Sequence, residues 1–215
     1  MKLEELAVAL SNKHPRLVAN LNPPNLIESQ LREMFSEVYA GYEMPEELVS
    51  LYEWKNGTQI KFKRMEVYNE IKGESCIIPA WIFIEFSLAV KKVKENPKVF
   101  KRDRKVYFPF LYTGFGHYLC FQLKLKGSSD FRSRGIYLST RPQRKIYGNY
   151  LYYRNFEIFL ESIVRCCNEG VYYEINDHFG GNVLRESEIN CELTPNSSIW
   201  NLKKFGVVKN FDVEE

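Results

Sequence analysis

The residues best suited to chemistry are the run Gly114-Phe115-Gly116-His117, the pair Cys166-Cys167 and the three histidines His14, His117 and His178. Glycines ahead of an imidazole suggest a phosphate loop or a general base. A nucleotide fingerprint, however, needs a third glycine and a helix directly after it. Here Tyr118 to Lys124 alternates as a strand, so the glycines predict a hairpin between two aromatic strands. His117 has no serine, cysteine or carboxylate around it in a recognisable triad order, and the structural reading is favoured. The histidines are too scattered for a metal motif and Cys-x-x-Cys is absent. Neighbouring positions on a helix face different ways, so one of Cys166 and Cys167 is expected to be buried and neither to be a nucleophile. No catalytic residue, metal ligand or cofactor-binding residue is assigned, and catalysis is not expected.

Charge is more informative than any single residue. The net charge is +3, yet residues 91–105 carry eight lysines or arginines against Glu95 and Asp103, a local balance of +6. Residues 156–192 reverse the sign, with eight carboxylates against Arg165 and Arg185, a balance of −6. The basic run is flanked by Tyr107, Phe108, Phe110 and Tyr112, the ingredients of a groove that binds phosphates and stacks bases. A solvated charge run beside a buried strand is the plainer reading, and nucleic-acid binding through residues 91–105 is held as an alternative. On the acidic side, Glu157 and Glu161 stand four apart on a helix, and with Glu174 they form a candidate partner-binding face.

These residues need elements to position them. With 215 residues, 45% hydrophobic and 14 Tyr, 15 Phe and 3 Trp, the chain can enclose one substantial ring-rich core. Residues 3–10 read as a short helix, and Asn22-Pro23-Pro24-Asn25 forces an extended break after which the main fold is expected to begin. Asn25 is suited to cap a helix burying Ile27, Leu31, Met34, Phe35 and Val38. Pro45 suits the first turn of a second helix, which buries Leu48, Leu51 and Tyr52 and stops at Asn56-Gly57. Strands are predicted at 58–63, 75–78, 106–112, 118–124, 135–140 and 150–153, with helices near 86–95 and from Asn155 to Gly170. The order predicts an α+β fold, an antiparallel curved sheet with helices packed against it. Residues 1–24 are read as an N-terminal helix and linker, 25–175 as the domain, and 176–215 as a C-terminal extension of it.

Five unevenly spaced cysteines suit reduced thiols, Glu4 and Glu5 interrupt any secretory apolar run, and no segment suggests a membrane span. A cytoplasmic protein without membrane contact is expected; the oligomeric state is not read from these residues.

Four ordered blocks resemble the SUKH superfamily, which includes the Smi and Knr type regulators of fungal cell-wall synthesis. They are Met44 to Gly57, with Pro45, Trp54, Asn56 and Gly57; Ile77-Ile-Pro-Ala-Trp-Ile-Phe83; Tyr107 to Phe121, with Pro109, Gly114 and Gly116; and Gly135 to Leu138 continuing through Tyr150 to Leu160. His117 departs from the acidic residue common at that position, and residues past 175 lie outside the match. The resemblance implies a non-catalytic protein-binding domain. Bacterial members act as immunity proteins of polymorphic toxin systems, binding a toxin domain directly, and eukaryotic members act as regulatory interaction modules. Trp54 joins the candidate contact residues, because a ring with a donor nitrogen suits an interface anchor as well as a core.

Overall fold

The computed structural model describes residues 2–58, 76–79, 81–102, 105–113, 116–128, 135–140, 149–175 and 178–195. The helices are α1 (Lys2–Lys13), α2 (Pro15–Ala19), α3 (Glu28–Tyr39), α4 (Glu46–Trp54), α5 (Phe86–Glu95), α6 (Pro97–Phe100), α7 (Phe156–Asn168) and α8 (Val183–Leu193). The strands are β1 (Tyr42–Glu43), β2 (Cys76–Ile78), β3 (Trp81–Phe83), β4 (Lys101–Arg102), β5 (Lys105–Tyr112), β6 (His117–Leu125), β7 (Ile136–Thr140), β8 (Asn149–Tyr153), β9 (Tyr172–Ile175) and β10 (His178–Gly181).

The expected α+β class holds. One antiparallel sheet runs β2-β3-β5-β6-β7-β8, with β1 on the end of β6 and β4 on the start of β5. Four inter-strand steps would set β3 and β8 about 19 Å apart in a flat sheet. The rings of Trp81 on β3 and Tyr152 on β8 instead approach to 6.3 Å, so the sheet curls into a half-barrel. Irregular register at Pro109/Leu111 in β5 and at Ile136/Tyr137 in β7 supplies bends of the kind that curvature needs.

Aromatic residues fill the curl. Phe108 packs between Phe35 of α3 and Phe86 of α5, with ring centroids 5.6 and 5.2 Å away. Phe110 meets Phe121 at 4.8 Å and Phe159 of α7 at 5.5 Å. The β5–β6 register, Phe108 opposite Phe121 and Tyr112 opposite Tyr118, is the expected hairpin; Gly114 lies outside the described residues. The predicted strand at 58–63 also lies outside them except for Thr58.

Several expectations are corrected. The fold does not wait for residue 25: Leu3, Leu6 and Leu10 of α1 and Leu17 of α2 are buried in the common core, and α1 packs along α7. Phe179 and Ile189, from the segment read as an extension, enter the same core. Asn25 does not cap α3; Gln30 accepts the Ile27 N–H at 3.1 Å, and Ile27 is exposed. The hairpin β9–β10 and helix α8 replace the irregular extension expected past residue 175, with the Asn182 side chain accepting from the Arg185 N–H at 3.1 Å. No described helix is long and apolar enough to cross a membrane.

Candidate partner-binding surfaces

Two of the residues that carry the SUKH resemblance, Asn56 and Gly57, meet the chain around Glu85 at one internal junction. Helix α4 ends at Trp54, and Lys55 leaves it in an extended conformation, so Gly57 is not the residue that stops the helix. Its φ of +79° serves a different purpose. A Cβ there would stand 2.6 Å from the Glu85 nitrogen and 2.9 Å from the Ile84 carbonyl carbon, so only glycine lets these two backbones touch.

Asn56, expected to bond its own turn, reaches distant chain instead. Its Oδ1 accepts from the Phe86 N–H at 3.0 Å, supplying the cap that α5 lacks in its own sequence, and its Nδ2 donates to Asn25 Oδ1. Asn22 completes the junction: its N–H donates to the Gly57 carbonyl at 2.9 Å and its Nδ2 to the Asn56 carbonyl at 3.2 Å. The Tyr52 hydroxyl donates to the Ile84 carbonyl at 3.0 Å and Thr58 Oγ1 to the Phe83 carbonyl at 3.0 Å. Pro45 occupies the N-cap position of α4, Pro109 sits in β5 opposite Cys120, and Gly116 takes φ +89° just before β6. Trp54 is half-buried against the core.

The buried cysteines and tyrosines are held in their protonated forms. Burial drives the Cys120 thiol well up, and Cys166 and Cys167 are pushed up to about 12, chiefly by burial. Both members of the pair are buried, not one. Burial likewise raises Tyr39, Tyr52 and Tyr153. His117 is exposed at the start of β6. Among the described residues no group of three or more His, Cys, Asp or Glu is placed to hold a metal ion.

Several carboxylates of the acidic segment are paired within the molecule. Arg165 of α7 pairs with Glu169 at 3.2 Å and with Glu192 of α8 at 2.9 Å, and Arg185 of α8 pairs with Glu169 at 2.7 Å and Glu188 at 2.9 Å. The Arg185 hydrogen bond, assisted by Arg165, holds the Glu169 carboxyl below its ordinary value. Glu186 accepts from the Tyr172 hydroxyl at 3.0 Å, and Glu161 is bound by Lys2. Of the three carboxylates proposed from sequence, Glu157 is exposed one helical turn from Glu161, and Glu174 lies across the hairpin from Phe179 on a separate element. Ion pairs thus join α1, α7 and α8, and because Arg165 and Arg185 are already counted in the balance of −6, the segment keeps its negative excess.

The basic run divides differently. Lys94 pairs with Glu37 at 2.6 Å, and Lys91 and Lys92 lie 3.9 and 3.7 Å from Glu95. Lys98, Lys101 and Lys105 are exposed and have no carboxylate partner among the described residues. Lys101 lies over the Tyr39 ring at 5.7 Å and Lys105 over Tyr137 at 5.9 Å. Beyond β6, a groove of about 340 Å³ is lined by Arg32, Pro45, Glu46, Gln122, Lys124 and Lys126. Arg32 is held there by Glu28 and Glu46 at 2.7 and 2.6 Å, while buried Gln122 Oε1 receives no hydrogen bond from the described residues.

Sequence reasoning missed the Asn22–Asn25–Asn56 junction, whose only signal was an asparagine-rich break followed 31 residues later by Asn-Gly. Comparison with protein-family models and with curated proteins gave no match for this chain. The resemblance to SUKH proteins therefore rests on the residues that carry it.

Proposed function

We propose that this chain is a non-catalytic protein-binding domain that neutralises a toxin domain by direct binding, as the SUKH resemblance implies. The observation that carries this reading is that the resembling blocks adjoin one another: the Tyr52 ring of residues 44–57 packs on Phe83 of residues 77–83 at 5.2 Å, and residues 107–112, 117–121, 136–138 and 150–160 continue the same sheet and its packed helix. Four ordered blocks that build a single junction and sheet are what shared architecture requires, although a fold never names a partner. Cys120, Cys166, Cys167, Tyr39, Tyr52 and Tyr153 are buried in the packing, which suits a scaffold presenting a surface.

Affinity capture on the full chain, followed by co-expression of the recovered protein in a bacterial host, tests the proposal. Growth arrest caused by the recovered protein and relieved by this chain is the expected outcome. Recovery of an endogenous, non-toxic regulator would replace immunity with a regulatory role, and recovery of nuclease-sensitive RNA or DNA alone would favour nucleic-acid binding.

A further inference from the structure

Asn56-Gly57 is the one Asn-Gly pair in the 215 residues. An asparagine followed by glycine is chemically labile, because no side chain on the second residue shields its backbone nitrogen. When hydroxide removes the proton from that nitrogen, it attacks the asparagine Cγ and a five-membered imide closes. The side-chain nitrogen leaves as ammonia, taking a proton from water and regenerating the hydroxide. Water then opens the imide at either carbonyl, leaving aspartate or, with the main chain rerouted through Cβ, isoaspartate. In the fold the rotations this attack needs are blocked. The Asn56 side chain is tied at both ends, Oδ1 to the Phe86 N–H at 3.0 Å and Nδ2 to Asn25 Oδ1. The main chain is tied as well. The Asn56 N–H donates to the Asn22 carbonyl at 3.0 Å, the Asn56 carbonyl accepts from Asn22 Nδ2 at 3.2 Å, and the Gly57 carbonyl accepts from the Asn22 N–H at 2.9 Å. Asn56 is 4% exposed, which also keeps out the hydroxide and water that the two steps need.

We propose that Asn56-Gly57 is a deamidation site that the junction with Asn22 and Asn25 holds shut in the folded chain and that unfolding opens, so that time spent unfolded is recorded as a covalent change. The hold depends on the fold and not on local sequence, since the residues that tie Asn56 lie 30, 31 and 34 positions away. Neither product rebuilds the same junction. Aspartate puts a charge at a buried position and turns the donor that faced Asn25 Oδ1 into an oxygen. Isoaspartate does more. It adds a carbon to the main chain where only glycine lets residues 57 and 85 touch, and it draws the free carboxylate back from the Phe86 N–H. A chain so altered loses the contact that joins the end of α4 to the start of α5. The inference needs no partner and stands apart from the protein-binding reading.

The test incubates the full chain in mildly alkaline buffer, one sample folded and one unfolded in guanidinium chloride. The tryptic peptide that begins at Asn56, after Lys55, is then followed by mass for the exchange of NH2 for OH and by chromatography for its aspartyl and isoaspartyl forms. Asn56 should convert in the unfolded sample, faster as pH is raised, and about a hundredfold or more slowly in the folded one, where only the rare unfolded fraction reacts. Gly57→Ala, assayed only unfolded so that its own folding does not matter, should convert about tenfold or more slowly, because a methyl group then shields the attacking nitrogen. After denaturant is removed, unconverted chains should regain the wild-type melting transition and isoaspartyl chains should not. A folded sample that converts as fast as the unfolded one overturns the hold. Survival of Asn56 in the unfolded sample, or equal conversion of Gly57→Ala, overturns the chemistry. Isoaspartyl chains that refold and melt as the wild type does overturn the covalent record.

Discussion

Glycines 57 and 170 share a positive φ, +79° and +71°, yet differ in what surrounds them. Nothing lies within 4 Å of a Cβ placed on Gly170, so Gly170→Ala should cost only the left-handed backbone penalty, about 1 kcal/mol. Gly57→Ala adds a collision with the Glu85 backbone and should cost about 3 kcal/mol or more. Urea unfolding of both variants checks the ranking, and equal losses would remove the close-approach explanation. Asn56→Ala leaves the Phe86 N–H and the Asn25 side-chain Oδ1 without these partners, a loss of about 3 kcal/mol in the same measurement. Glu186 makes a pH-dependent contribution. Burial raises its carboxyl, with the Tyr172 hydroxyl opposing, so the folded chain holds this proton more tightly than the unfolded chain does. Its stabilisation is full at pH below the ordinary carboxylate value and is lost as pH rises through the raised one. Glu186→Gln should therefore melt above the wild type near neutrality, with the gain vanishing in acid. A gain that does not vary with pH would contradict this account.

At the scale of elements, α1 is a structural member of the domain. Leu6 and Leu10 are fully buried, and Lys2 reaches Glu161 on α7. Leu6→Ala should cost about 3 kcal/mol, and deleting residues 2–13 should abolish cooperative unfolding of the whole domain, both read by thermal melts. A truncated chain that melts as the wild type does would return α1 to the role of an appendage. Period-two runs of large rings made β5 and β6 readable within one residue at each end, and α5 was readable at both ends. The closing helix was readable because its stop is local: the Val171 N–H reaches the Cys166 carbonyl at 2.8 Å and the Gly170 N–H that of Cys167 at 3.3 Å. The Asn56 junction was unreadable because its bonds span 30 and 31 residues, and no local pattern records such pairing. Helix α8 was hidden by Gly180-Gly181, which reads as a loop but is a strand held against Tyr172 and Tyr173. The ion pairs of the acidic segment were hidden for a related reason. Charge counts along a sequence do not show which carboxylates Arg165 and Arg185 will claim.

For the whole molecule, the two-sided charge pattern becomes a stapled acidic side and a partly open basic end. Association with a partner that meets exposed charge should slow as salt rises, since such charges are screened over about 8 Å at physiological ionic strength. Dissociation should change less. Stopped-flow or surface-based kinetics across a salt series reads both, and association indifferent to salt would place the interface away from the charged segments. The central claim is that this domain acts by holding a protein and leaves its covalent structure unchanged, and native mass spectrometry of the captured complex tests it most directly. The account predicts one protein partner in fixed stoichiometry, released by denaturant at its unaltered mass. A partner that is released cleaved, or heavier or lighter by a chemical group only after incubation with this chain, would contradict it.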